Sequence, residues 1–184
     1  MSSIILNISV LLISAFSYWG FFKLNESVFN NLLFSTGVNW IFLPAGLRLL
    51  LTLLFAEEGA IGIIVASIAI GINHYFINDP LTAVMAGIIS GIAPYLARLI
   101  VLNKLRLKSD LTNLSLGNLF LCILTFAVIS PLMHQLWFFY SGYTQHFISS
   151  FLVMTVGDFI GSLIVIYSAK LLINLWRSLV ILKN

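Results

Sequence analysis

An all-α, polytopic transmembrane bundle is the fold class this sequence predicts, and three observations predict it. Of 184 residues, 60% are hydrophobic and only 8% are charged, against about 25% charged in an ordinary soluble domain. A mean hydropathy of +1.08 leaves more apolar surface than a globule of this size could hide from water. Apolar runs close to the roughly 20 residues needed to cross about 30 Å of hydrocarbon follow one another with short polar turns between them. The composition excludes a water-soluble globule, a disordered chain, a disulfide scaffold and a free nucleic-acid binder. The single cysteine, Cys122, lies in LFLCILTF, so neither an intramolecular disulfide nor a cysteine-rich metal site is available.

Six spans are expected. The first, Ile4 to Phe22, has no basic n-region and no A-x-A cleavage site, so it reads as an uncleaved helix and not a signal peptide. The link Lys23 to Gly37 contains SVFNNLLF, a half-apolar run suited to a short interfacial or re-entrant helix. Val38 to Ala56 is the second span, and Glu57-Glu58-Gly59 turns into the third, Ala60 to Ile77. Asn78-Asp79-Pro80 marks the next reversal, because Asp-Pro initiates turns and proline opens helices. Leu81 to Leu102 is the fourth span, Leu116 to Phe138 the fifth and Ser149 to Ile173 the sixth. No internal repeat and no low-complexity segment is visible.

Orientation follows from lysine and arginine, which accumulate in cytoplasmic loops. Lys104, Arg106 and Lys108 put the stretch Asn103 to Ser115 inside, and with six spans both termini are then cytoplasmic, whereas a five-span variant puts one terminus outside. Arg177 and Lys183 in the tail agree, and Lys23 alone is basic outside. Tyr18, Trp19, Trp40, Tyr75, Trp137 and Tyr140 fall near outer ends and Trp176 near the inner one, as interfacial aromatics do. Arg98 and Lys170 are close enough to inner ends to snorkel. The basic loop has too few charges for nucleic acid and suits anionic lipid.

Two charges lie deep in spans: Arg48 in PAGLRLLL and Asp158 in VGDFIGSL. Each is about ten residues, or roughly 15 Å, from the outer end of its span. A lone charge there costs on the order of 2.5 to 3.5 kcal/mol, and equal depth makes pairing the simplest relief. Such a pair serves either as a register-fixing ion pair or as a polar switch and ligand anchor; snorkelling is the third reading. Trp40, Pro44 and Gly46 precede Arg48 in NWIFLPAGLRLL, where a proline either frees carbonyls for a polar pocket or merely kinks the helix.

Small residues recur four apart at Ala83, Gly87 and Gly91 and again at Gly157 and Gly161. Such ridges permit close helix contact within the chain or with another copy. His74, His134 and His146 fall near outer ends with no i,i+3 or i,i+4 partner, so interfacial anchoring is expected and a metal site is not. Glu57 and Glu58 read as solvated charges at a tight turn. No nucleophile motif of the G-x-S-x-G type occurs, so neither catalysis nor a cofactor is expected.

The stretch GVNWIFLPAGLRLLLTLLFAEEGAIGIIVAS, with Trp40, Pro44 and Gly46, resembles the opening of the bacterial MASE1 family. VGDFIGSLIVIYSAKLL resembles that family's closing G-D-x-x-G helix through Gly157, Asp158 and Gly161, and DPLTAVMAGIISGIAPYLARLIVL is similar to its central small-residue helix. The resemblance covers roughly Trp40 to Leu172 and implies an integral membrane sensory module of the kind joined to cytoplasmic cyclase, phosphodiesterase or kinase domains. That family has about eight spans, whereas six are read here, and this chain ends eleven residues beyond the sixth. The expectation is therefore a stand-alone sensory, anchoring or accessory module in a bacterial inner membrane. Its partners are lipid, a separate signalling subunit or a second copy of the chain. The competing expectation is transport: in size and composition the chain is similar to the membrane-embedded S-component of an energy-coupling-factor transporter, partnered by transporter subunits.

Overall fold

The computed structural model describes residues 3–106 and 115–181. Lys108 and Lys183, on which the orientation expectation partly leans, lie outside the described residues. The described chain is built from helices α1 (Ser3–Phe29), α2 (Leu43–Ile70), α3 (Pro80–Leu105), α4 (Leu116–Tyr140) and α5 (Phe147–Ile181). Among the described residues, five helical stretches are long and apolar enough to cross a membrane. Many large apolar side chains, among them Leu54, Leu81, Leu136 and Leu152, face outward, as lipid-facing residues must.

The link after the first helix departs from expectation. It holds no re-entrant helix: α1 continues to Phe29, one 3-10 turn follows at Asn30–Leu32, and the chain then pairs β1 (Leu33–Ser35) with β2 (Val38–Asn39) in an antiparallel hairpin. Gly37 turns that hairpin at a φ of +74°, a conformation glycine takes without steric cost. Past β2, the Phe42 amide donates to the Gly157 carbonyl at 3.2 Å. A side chain at Gly157 or Gly161 would collide with the Asn39 or Phe42 carbonyl, so that small ridge of α5 is the seat on which irregular backbone enters the bundle. Such backbone is tolerated at depth only where protein covers it.

α2 carries the fold. Ala56 has φ 47° and ψ −117° inside it, which no helix accommodates. A Cβ placed on Gly59 would lie 2.5 Å from the Leu51 carbonyl oxygen, although residues eight apart in a straight helix are separated by about 12 Å. The chain therefore folds back at Ala56, and Leu47 and Leu51 of the first half pack with Ile63, Ala66 and Ile70 of the second, together with Tyr18, Phe22 and Val165. Residues 43–55 form a half-helix about 20 Å long that is buried nearly all round, with Ala45, Leu49 and Leu53 packed on α3, α4 and α5. A helix apolar on every face belongs in the centre of its protein. Its first turn contains Pro44, where proline removes no helical donor, so the mid-helix kink, one of the two readings of this residue, does not occur. The open end is capped from a distance, the Leu43 amide donating to Asn25 Oδ1 at 2.9 Å.

The remaining ends follow local chemistry. Asp79 accepts from the Thr82 amide at 3.0 Å and Pro80 opens α3; Ser115 accepts from the Asn118 amide at 3.2 Å and opens α4. Gly87 packs on Ile68 and Gly91 on Ala60 and Ile64, while Ala83 faces Gly71. That ridge is thus spent on contact with the second half of α2 and with the π-helical turn Gly71–Tyr75 that follows it.

Candidate functional site

The first half of α2 enters the bundle at Leu43, so Arg48 arrives within its second turn among α3, α4 and α5. Its guanidinium is 1% exposed. Nη2 lies 3.5 Å from Asp158 Oδ1 on α5, and Nη1 donates to Ser90 Oγ on α3 at 3.2 Å. On α4, Ser130 Oγ donates to Asp158 Oδ2 at 2.8 Å, and His134, four residues on, places Nδ1 2.8 Å from the Ser130 carbonyl and Nε2 3.3 Å from Ser90 Oγ. Arg48, Ser90, His134, Ser130 and Asp158 thereby close a ring that ties four helices together.

The polarity of this ring is fixed at two points. A guanidinium only donates and a backbone carbonyl only accepts. Nδ1 of His134 must therefore carry a proton toward the Ser130 carbonyl, whereas Ser90, with two acceptor lone pairs beside its one donor, can accept from Arg48 and still either donate to Nε2 or accept from it. A second cation buried beside the Arg48 guanidinium is disfavoured, so the ring favours a neutral His134 and holds one cation and one anion. Phe42 and Phe126 flank the guanidinium, their centroids 5.3 Å and 5.7 Å from Cζ, a setting in which ring quadrupoles supplement a single carboxylate.

Of the residues singled out in the sequence, Arg48 and Asp158 come together. Gly46 serves packing, since a Cβ there would lie 2.6 Å from the Gly161 carbonyl oxygen. Trp40 stands apart: its side chain is 46% exposed and meets Phe34 edge-on. Pro44 is a helix opener, as described. His134 corrects the expected interfacial anchor, because it is 3% exposed and belongs to the ring. Ser90 and Ser130 were not anticipated. The available signal was Ser130 and His134 at i and i+4, which puts both on one face of α4, with Ser90 beside the small ridge on α3.

A cavity of about 50 Å³ adjoins the ring, lined by Arg48, Ser67, Ser90 and His134 and walled by aromatic rings including Phe22, Phe42 and Tyr75. Tyr75, at the end of the π-helical turn, also lines a wider vestibule of about 610 Å³ with Lys23, Glu26, Asn39 and His74. His74 Nε2 and Glu26 Oε1 lie 3.0 Å apart there. Among the described residues no group of three or more histidines, cysteines or acids could hold a metal. The arrangement offers buried, directional hydrogen bonds beside a small cavity, and Tyr75 lines both chambers. No protein-family model matches the chain, and no curated protein or solved structure is significantly similar to it, so its role has to be read from this chemistry.

Proposed function

We propose that the chain is a MASE1-like integral module of a bacterial inner membrane, six-segmented with both termini cytoplasmic, that senses a small stimulus at the Arg48–Asp158 ring and has no catalysis of its own. The observation that carries this reading is the position of Asp158. It is held by Arg48 and Ser130 on a 35-residue helix, which continues beyond it for roughly 35 Å. A change at the ring that alters Asp158's partners biases the whole of α5, and its far end is where a separate cytoplasmic signalling subunit would read it. The reversal at Ala56 supports counting α2 as two membrane segments, which brings the number to six. Orientation is tested by a cysteine at Ser109, expected to react with a membrane-impermeant maleimide only after permeabilisation.

The test of sensing is the labelling rate of a cysteine at Ser178, near the end of α5, in a Cys122→Ser background. Asp158→Asn should change that rate several-fold in native membranes. An unchanged rate in a folded Asp158→Asn protein would leave the ring with a structural role only. The vestibule beside Tyr75 favours a second reading, transport, in which the chain is a substrate-binding subunit similar to an S-component. Co-purification of ATPase and coupling subunits from native membranes would decide for that reading.

A further inference from the structure

Two residues that line the 50 Å³ cavity carry a buried polar atom with no hydrogen-bond partner among the described residues: Arg48 at Nε and Ser67 at Oγ. Arg48 is 1% exposed and Ser67 8%, so bulk water does not reach them, and buried polar groups are rarely left unpaired. The guanidinium is only partly used by the ring, with Nη1 on Ser90 and Nη2 on Asp158 at 3.5 Å, longer than a close charge-assisted hydrogen bond. Its Nε–H asks for an acceptor. The Ser67 hydroxyl can both donate and accept.

Charge decides what kind of acceptor belongs there. Arg48 and Asp158 cancel, a neutral His134 avoids a second buried cation beside Arg48, and the other titratable residues lining the cavity, Tyr18 and Tyr75, are phenols that bring no cation. A carboxylate entering this space would set a second anion near Asp158 with a single guanidinium to serve both, which a low-dielectric interior disfavours. Size narrows the choice further. At about 10 to 15 Å³ per water-sized position, the cavity of about 50 Å³ takes roughly three to five non-hydrogen atoms.

We propose that this cavity binds a net-uncharged carbonyl compound of the amide or urea class, its oxygen accepting from Arg48 Nε–H and its N–H donating to Ser67 Oγ, with Phe22 and Phe42 as flat walls. The assignment rests on the reading of the ring and its cavity as the sensing site, and names the ligand chemistry of that site.

The test uses the full chain in lipid nanodiscs with acetamide as probe and acetate as its charged isostere, read by saturation-transfer NMR. Acetamide should bind saturably; with four non-hydrogen atoms it can bind no tighter than about tens of micromolar. Acetate should bind at least about tenfold more weakly. Ser67→Val, which removes a hydroxyl without an intramolecular partner, should leave thermal unfolding unchanged and weaken acetamide about tenfold, the value of one hydrogen bond. A cavity that shows no saturable acetamide signal and holds water only overturns the assignment, as do acetate binding as tight as acetamide and a Ser67→Val protein that binds acetamide undiminished. If acetamide fails while Asp158→Asn still changes labelling at Ser178, the ligand class alone falls. If acetamide binds while that labelling stays constant, sensing falls and the binding site stands.

Discussion

Replacing Ala56 with glycine tests the central feature of the architecture by the sign of a single energy. Ala56 sits at φ 47° and ψ −117°, and a non-glycine residue held in so sparsely populated a region costs about 1 to 3 kcal/mol. Glycine takes this conformation freely but adds about 0.5 to 1 kcal/mol of unfolded-state entropy to be lost on folding. The net expectation for Ala56→Gly is a gain of about 0 to 2.5 kcal/mol, never a loss. Were α2 one continuous helix, the same change would destabilise by about 0.5 to 1 kcal/mol. Gly59→Ala supplies the mirror image. Its Cβ would stand 2.5 Å from the Leu51 carbonyl oxygen, and backbone cannot yield as a flexible side chain can, so a loss of about 1 to 3 kcal/mol is expected. In a continuous helix that substitution would gain about 1 kcal/mol. Thermal unfolding of the two variants in detergent, with wild type alongside, reads both signs. A destabilised Ala56→Gly together with a stabilised Gly59→Ala would refute the reversal and the two-segment count for α2.

The ring gives a second prediction: Arg48→Met and Asp158→Asn should each cost about 3 to 5 kcal/mol by stranding a buried partner, and the double variant should lose less than their sum. Additive losses in a double-mutant cycle on unfolding would mean that the two charges are not coupled. Gly87→Leu should destabilise by on the order of 1 to 3 kcal/mol, because a Cβ there would lie 2.9 Å from the Ile68 amide nitrogen; an unchanged melting curve would place this face against lipid. At the hairpin end, hydrogen bonds from Thr82 hold the Asp79 carboxyl below its ordinary value. A depressed folded pKa contributes stability that is present above the unfolded pKa and lost as pH falls through the folded one. The melting difference between wild type and Asp79→Ala should therefore be full near neutral pH and vanish on acidification below the ordinary aspartate range; a pH-independent difference would contradict the capping role.

Much of this protein is legible in local pattern. Runs of apolar residues longer than any soluble helix needs mark the membrane class, and helix openers such as Asp79-Pro80 and Ser115 act on amides three residues away, so their chemistry is complete within one turn of sequence. Arg48 and Asp158, 110 residues apart, could be matched because the bilayer supplies a shared depth coordinate and makes unpaired charge costly. The Glu57-Glu58-Gly59 turn was also visible, although the reversal itself falls one residue earlier, at Ala56. What depth cannot specify is azimuth, meaning which face of each helix turns inward. His134 counts as an interfacial residue by its distance from the end of α4, yet the rotation of α4 aims it at Ser90, 44 residues away. Asn25 reads as an ordinary polar residue after the first span, and only packing brings it to the amide of Leu43 as the cap of a buried helix end. The hairpin at Leu33–Asn39 and the docking of Phe42 on Gly157 likewise arise from contacts between distant segments. Local propensity determines where helices begin and end; the rotations that bury a cation, an imidazole and a carboxylate in one ring are decided by side chains meeting across the bundle, and no single segment encodes them.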